Sequence, residues 1–144
     1  MAPDPVAVEF RHSSWVSPEE LPRTLSCLSE RGLTFVPVDT PRLDSPSALP
    51  PVSAATSNIA YVRFHGRNAS TWNARTTSAA ERFKYLYSED ELAEWIEPLT
   101  ELQASAETTY AMFNNCYADY APRNAQMLLD LRDRAEESPQ GPAE

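Results

Sequence analysis

The chain has 144 residues, 42% hydrophobic and 23% charged, an ordinary globular composition with enough length for one domain. Its 21 acidic residues outnumber 12 basic ones for a formal net charge of −9, which speaks against nucleic acid held by a chain-wide basic footprint but leaves room for a small basic site. No apolar run approaches the ~20 residues of a membrane span, and the two cysteines (Cys27, Cys116) and two histidines fit no zinc spacing. The expectation is a cytoplasmic chain with reduced thiols, no metal site and no membrane partner.

In chain order, Val6 to Arg11 alternates, with Val6, Val8 and Phe10 on one face and Ala7, Glu9 and Arg11 on the other, the period of a strand. Ser17-Pro-Glu-Glu20 has a helix-start pattern, Leu21, Leu25 and Leu28 follow at helical spacing, and Gly32 supplies the stop. Pro22 requires that this helix begin late or bend. Leu33 to Val38 reads as a short buried strand ending at Asp39-Thr-Pro41, followed by a Pro-, Ser- and Ala-rich loop to Asn58.

Ile59 to His65 is the next strand, with Val62 and Phe64 facing one way and Tyr61, Arg63 and His65 the other. After a polar loop carrying Trp72, Ser88-Glu-Asp-Glu91 forms a capping box that opens a helix with Leu92, Trp95, Ile96, Leu99 and Leu102 on its apolar stripe; Pro98 predicts a kink. Thr108 to Phe113 is a fourth strand ending in Asn114-Asn115, and Pro122 opens a last helix that buries Ala125, Leu128 and Leu129. Residues 6–134 are read as one unit and 135–144 as a disordered tail.

The order β-α-β-loop-β-α-β-α implies an α/β fold with about four parallel strands and crossover helices. In such folds ligands gather at the C-terminal ends of the strands, and here all four strands end in polar residues. Charges on an inner sheet face must be paired, because a lone buried charge costs several kcal/mol or more. Two readings stand side by side: a structural ion-pair plug of Glu9 with Arg11 or Arg63, or an anion-binding or catalytic pocket. In the second, His12, His65, Glu9 and Asp39 are the catalytic candidates, and Arg11, Arg63, Arg67 and Asn115 hold the ligand. Asn114 is read as a turn cap, and Tyr117 and Tyr120 as candidates for the pocket mouth. No Gly-rich phosphate loop or nucleophile elbow is present, and the cofactor is unknown.

The segments Ala7-Val-Glu-Phe-Arg-His12 with Trp15, Val38-Asp-Thr-Pro41, Ala60-Tyr-Val-Arg-Phe-His-Gly-Arg67 with Trp72, Tyr85-Leu-Tyr-Ser88 with Glu91-Leu92, Phe113-Asn-Asn115 and Tyr120-Ala-Pro-Arg-Asn-Ala125 occur in this order. Together, from about Val6 to Leu131, they resemble the YecE-like family, the domain of unknown function seventy-two. The resemblance implies a TIM-type barrel without naming a reaction, and it implies that these motifs form the second half of that domain. A complete barrel takes ~250 residues, so the expected architecture is a half barrel. Where the family has histidine after Phe-Asn-Asn, this chain has Cys116, which unsettles any proton-transfer role at that position.

A half barrel leaves two sheet edges uncovered, so the expected partners are the N-terminal barrel half or a second copy, beside a small anionic ligand. Two functions stand open: one half of an enzyme-type pocket, or a truncated, catalytically inactive remnant or protein-interaction module.

Overall fold

The computed structural model describes residues 4–75 and 78–138. It is a mixed α/β fold whose strands all pair in parallel: β1 (Ala7–Val8) with β2 (Thr34–Phe35), and β3 (Val38–Asp39) with β4 (Ile59–Phe64), which pairs in turn with β5 (Thr108–Phe113). The expected strand over Leu33 to Val38 is divided, because Pro37 between β2 and β3 has no N–H to give to a ladder. Its carbonyl still accepts from Arg63 N–H at 3.0 Å, while Val36 N–H donates to Val8 at 3.1 Å. Residues 34–39 therefore form one path, bonded to β1 along its first part and to β4 along its second.

A 3₁₀ turn (Ser13–Val16) and α1 (Leu21–Glu30) follow β1. The helix starts late, as Pro22 demands: it occupies the first turn, where its missing donor is harmless. The loop of residues 40–58 contains no helix, and its Leu49 and Val52 pack with Val16, Leu28, Phe35 and Val36 to cover the first part of the sheet.

The Ser88 capping box is formed in full and opens α3 (Glu89–Ala93), after a single-turn α2 (Ala79–Arg82). The expected kinked helix is two helices, with the axis restarting at Trp95 as α4 (Ile96–Ser105). Pro98 sits in the first turn of α4, and its ring cannot coexist with a helical carbonyl four residues earlier at Glu94. Its effect is thus a break one turn upstream.

Alternation along β4 buries Ala60, Val62 and Phe64 against Leu92, Trp95, Leu102 and Leu128, the larger core cluster. α5 (Tyr120–Glu137) closes this layer, and the tail expected from residue 135 gives way to helix through Glu137; residues 139–144 lie outside the described ones. The buried face of α5 also differs from expectation. Leu128 is buried, Ala125 is half-buried, Leu129 is 44% exposed, and Asn124 is fully buried. Asn124 takes the inward position because its amide closes both backbone groups of Tyr87, accepting from its N–H and donating to its carbonyl, each at 3.0 Å. Truncating Leu128 to alanine is therefore expected to cost about 2–4 kcal/mol in chemical denaturation, and Leu129→Ala less than about 0.5 kcal/mol.

Candidate functional site

The polar strand ends form two groups on opposite faces of the sheet. Asp39 stands opposite Phe64 in the β3–β4 register, so both point to the helix layer. The Asp39 carboxylate is fully buried and accepts from Arg67 Nε (2.9 Å) and Nη2 (2.7 Å), the Tyr87 hydroxyl (2.8 Å), Trp95 Nε1 (2.8 Å) and Arg42 Nη2 (3.4 Å). Arg67, 10% exposed, also grips Glu94 through Nη1 and Nη2 at 3.3 and 3.0 Å. Burial opposes its charge, but Asp39 and Glu94 outweigh that and hold its pKa above the ordinary arginine value. Burial first, and then the neighbouring Asp39 charge, push the Tyr87 phenol well above its usual range, so it remains a hydroxyl.

Gly66 makes this packing feasible. Its φ is +88°, and a Cβ there would stand 2.8 Å from Tyr85 Cβ, so only glycine lets the loop pass and its N–H reach the Tyr87 hydroxyl at 2.8 Å. The Asp39 carboxylate has no lone pair left for a substrate. Its chemical work is to hold Arg67, Trp95 and Tyr87.

The other face carries a more open group. Glu9 leaves the end of β1, passes over the intervening strand and meets β4. One carboxylate oxygen accepts from Arg63 Nη1 at 2.7 Å. The second receives His65 Nε2 at 3.0 Å and forms an ion pair with Arg11, whose Nε lies 2.9 Å away. Burial would raise the Glu9 pKa, but the hydrogen bond and charge of His65, the hydrogen bond of Arg63 and the charge of Arg11 hold it at about 2. Since a carboxylate only accepts, His65 Nε2 carries a proton toward it. Nδ1 of the same ring lies 3.2 Å from Asn114 Nδ2. An amide can present its nitrogen to an unprotonated Nδ1 or, turned over, its oxygen to a protonated one, so Asn114 suits either state of the ring.

Of the sequence-predicted residues, Glu9, Arg11, Arg63 and His65 come together, while Asp39 and Arg67 meet on the opposite face. His12 joins neither. It is exposed, its ring caps the 3₁₀ turn by accepting from Ser14 N–H at 3.2 Å, and it meets the Ser14 hydroxyl at 2.8 Å. The two asparagines exchange their expected parts. Asn115 is fully buried, donating to the Tyr85 carbonyl (2.8 Å) and to Asn124 Oδ1 (2.9 Å), while Asn114, read from sequence as a cap, touches the histidine. Alternation along a strand end is lost once the chain turns, so pattern alone does not distinguish adjacent asparagines. Cys116 is exposed, with Sγ 3.4 Å from Asn114 Oδ1. Tyr117 is exposed and lies under Lys84 Nζ at 4.1 Å, and Trp72, buried in its loop, donates to Ser47.

Among the described residues no cluster of three His, Cys, Asp or Glu side chains could hold a metal ion, and no helix is long and apolar enough to cross a membrane.

Two predictions follow from these two groups. Because the Glu9 pKa is depressed, its contribution to stability is complete above the ordinary 4.5 and is lost as pH falls toward about 2. Denaturation midpoints measured across that window should fall less steeply in Glu9→Gln than in the parent. Asp39→Asn removes the buried counter-charge of Arg67, leaving it hydrogen-bonded to the more exposed Glu94, and should cost about 3–5 kcal/mol at neutral pH by the same measurement.

A family model described as "Protein of unknown function DUF72" matches residues 1–144. The UPF0759 protein YunF of Bacillus subtilis (strain 168) is 33% identical over 132 residues, covering 90% of this chain and 47% of that protein. Among solved structures, a DUF72 family protein from Enterococcus faecalis V583 superposes with a TM-score of 0.81 at 29% identity, over 90% of this chain and 47% of the other. Another, from Thermotoga maritima MSB8, has a TM-score of 0.74 at 41% identity, over 93% of this chain and 47% of its own. The chain thus spans about half the length of these relatives. Together, the whole-chain match and the shared fold make this chain a member of the DUF72 family.

Proposed function

We propose that the Glu9 face is one half of an enzyme-type pocket, set at the C-terminal ends of parallel strands on a half-barrel scaffold, and that it binds an anionic group such as a phosphate. The observation that carries this reading is the shared carboxylate: Glu9 orients His65 from one side while two arginines converge on the same two oxygens. A purely structural plug would use up its cations, as Asp39 uses up Arg67. Here Arg11 forms an ion pair with Glu9, Nε approaching to 2.9 Å, with its side chain 64% exposed, and Arg63 donates one hydrogen bond to Glu9, through Nη1. Among the described residues no other hydrogen-bond partner of these two guanidinium groups is seen, which leaves donors for the bidentate contacts that carboxylates and phosphates accept. In this reading His65 moves a proton, Glu9 sets its ring, Asn114 follows its protonation state, and Arg11 with Arg63 holds the anion.

The test is an NMR titration of the full chain with inorganic phosphate, following the Arg11 and Arg63 side-chain Nε–H signals. Both signals should shift saturably, and Arg11→Ala should weaken binding about tenfold, the equivalent of one charge-assisted hydrogen bond. A titration unchanged in that variant would remove Arg11 from the pocket, and signals that stay still throughout would remove the pocket.

A further inference from the structure

His65 is 1% exposed and both of its ring nitrogens have partners, so it exchanges a proton only where a partner can leave. The groups that face it are unequal. Glu9, reaching over from β1, meets Nε2 at 3.0 Å, and its carboxylate is kept ionised by the ring together with Arg63 and Arg11. Removing the Nε2 proton would set a lone pair against that anion, so this side of the ring is fixed. Phe83 lies alongside with ring centroids 5.9 Å apart and brings no polar atom. Nδ1 meets the neutral amide of Asn114, at 3.2 Å.

What holds that amide is the side chain two positions on. Cys116 Sγ lies 3.4 Å from Asn114 Oδ1, and a thiol S–H there donates to the oxygen. With its oxygen taken, the amide can offer the ring only N–H, which needs an acceptor, so Nδ1 carries no proton in this arrangement. Turned over, the amide would present its oxygen to a protonated Nδ1 and its nitrogen to sulfur, a weak acceptor. The turn that brings Asn114 and Cys116 together is anchored from its other side. Asn115 between them is fully buried on the Tyr85 carbonyl and Asn124, and Tyr117 N–H donates to the Asn115 carbonyl at 2.9 Å. A thiol is a weak donor, which suits a contact that has to open.

We propose that Nδ1 is the nitrogen through which His65 exchanges its proton, that the Asn114 amide is a latch over it, and that Cys116 is the positioning residue that keeps the latch in the orientation of an unprotonated ring. The ring gains one proton at Nδ1 and becomes an imidazolium whose charge faces Glu9. The amide turns over or is displaced as this happens, and the Nε2 proton stays toward the carboxylate throughout. The inference rests on the reading of His65 as a group that moves a proton, and it names the atom that does so and the two residues that govern it.

The test is nitrogen NMR on the full chain in the absence of phosphate. A scalar coupling across the hydrogen bond should join Asn114 Nδ2 to His65 Nδ1. Acidification should move the Nδ1 signal to its protonated position, abolish that coupling and leave Nε2 protonated as before. Cys116→Ala should speed water exchange of the Asn114 Nδ2 protons about two- to tenfold, the range of one neutral hydrogen bond, and Cys116→Ser, which keeps a donor, should restore the parent rate. The Asn115 Nδ2 protons should keep their rate in both variants, since a general loosening of the turn would release both amides together. A parent without the coupling, or a proton arriving at Nε2 on acidification, would overturn the assignment of Nδ1. Unchanged Asn114 exchange in Cys116→Ala, or equal acceleration at Asn115, would overturn the role of Cys116. A phosphate titration without response would remove the anion site and leave the latch standing, so the two readings fail separately.

Discussion

A carboxylate placed inside a protein must be given donors or it destabilises the fold by several kcal/mol. Asp39 meets this requirement completely, and much of the architecture follows from how. Its donors come from the Arg67 loop after β4, from Tyr87 ahead of α3, from Trp95 between α3 and α4, and from Arg42 after β3. One side chain thus ties the end of the sheet to the helix layer. Tyr87 extends the tie, since its hydroxyl accepts from Gly66 and its backbone is closed by Asn124 of α5.

This arrangement separates two kinds of charge. On the helix side, with Arg67 spent on Asp39 and Glu94, the polar groups act as fastening. On the other side Glu9 performs the same pairing with fewer partners and greater exposure, and among the described residues its two arginines have no other hydrogen-bond partner. A charged group that is held in place but not consumed is what recognition of an anion needs, because the orientation is set before the ligand arrives. The histidine between Glu9 and Asn114 benefits from the same rigidity: its ring is almost wholly buried and contacted at both nitrogens.

The sheet margins tell a complementary story. A parallel sheet is stable when both faces and both edges are covered, and here the middle strands meet that condition while β1 and β5 do not. Val6 and Trp15 at one margin and Tyr110 and Met112 at the other are exposed, and the chain spans about half the length of the relatives it matches.

Local patterning carried a great deal. Alternation in Ile59–Phe64 and Thr108–Phe113 identified both long strands, the Ser88 capping box marked where α3 begins, and Arg63-Phe-His displayed residues 63 and 65 on the face away from Phe64. These features depend on neighbours within a few residues, which is the range a sequence pattern can report. Tertiary structure decided what each charge met. Asp39 and His65 both read as polar strand ends, yet one points to the helices and is saturated while the other points inward to Glu9, fifty-six residues away. The division of residues 33–39 by Pro37, the inward turn of Asn124 in place of Leu129, and the choice of Asn114 over Asn115 as the neighbour of His65 have the same origin. Each was settled by which buried backbone or side-chain group needed a partner, and such partners are brought close only when distant segments pack.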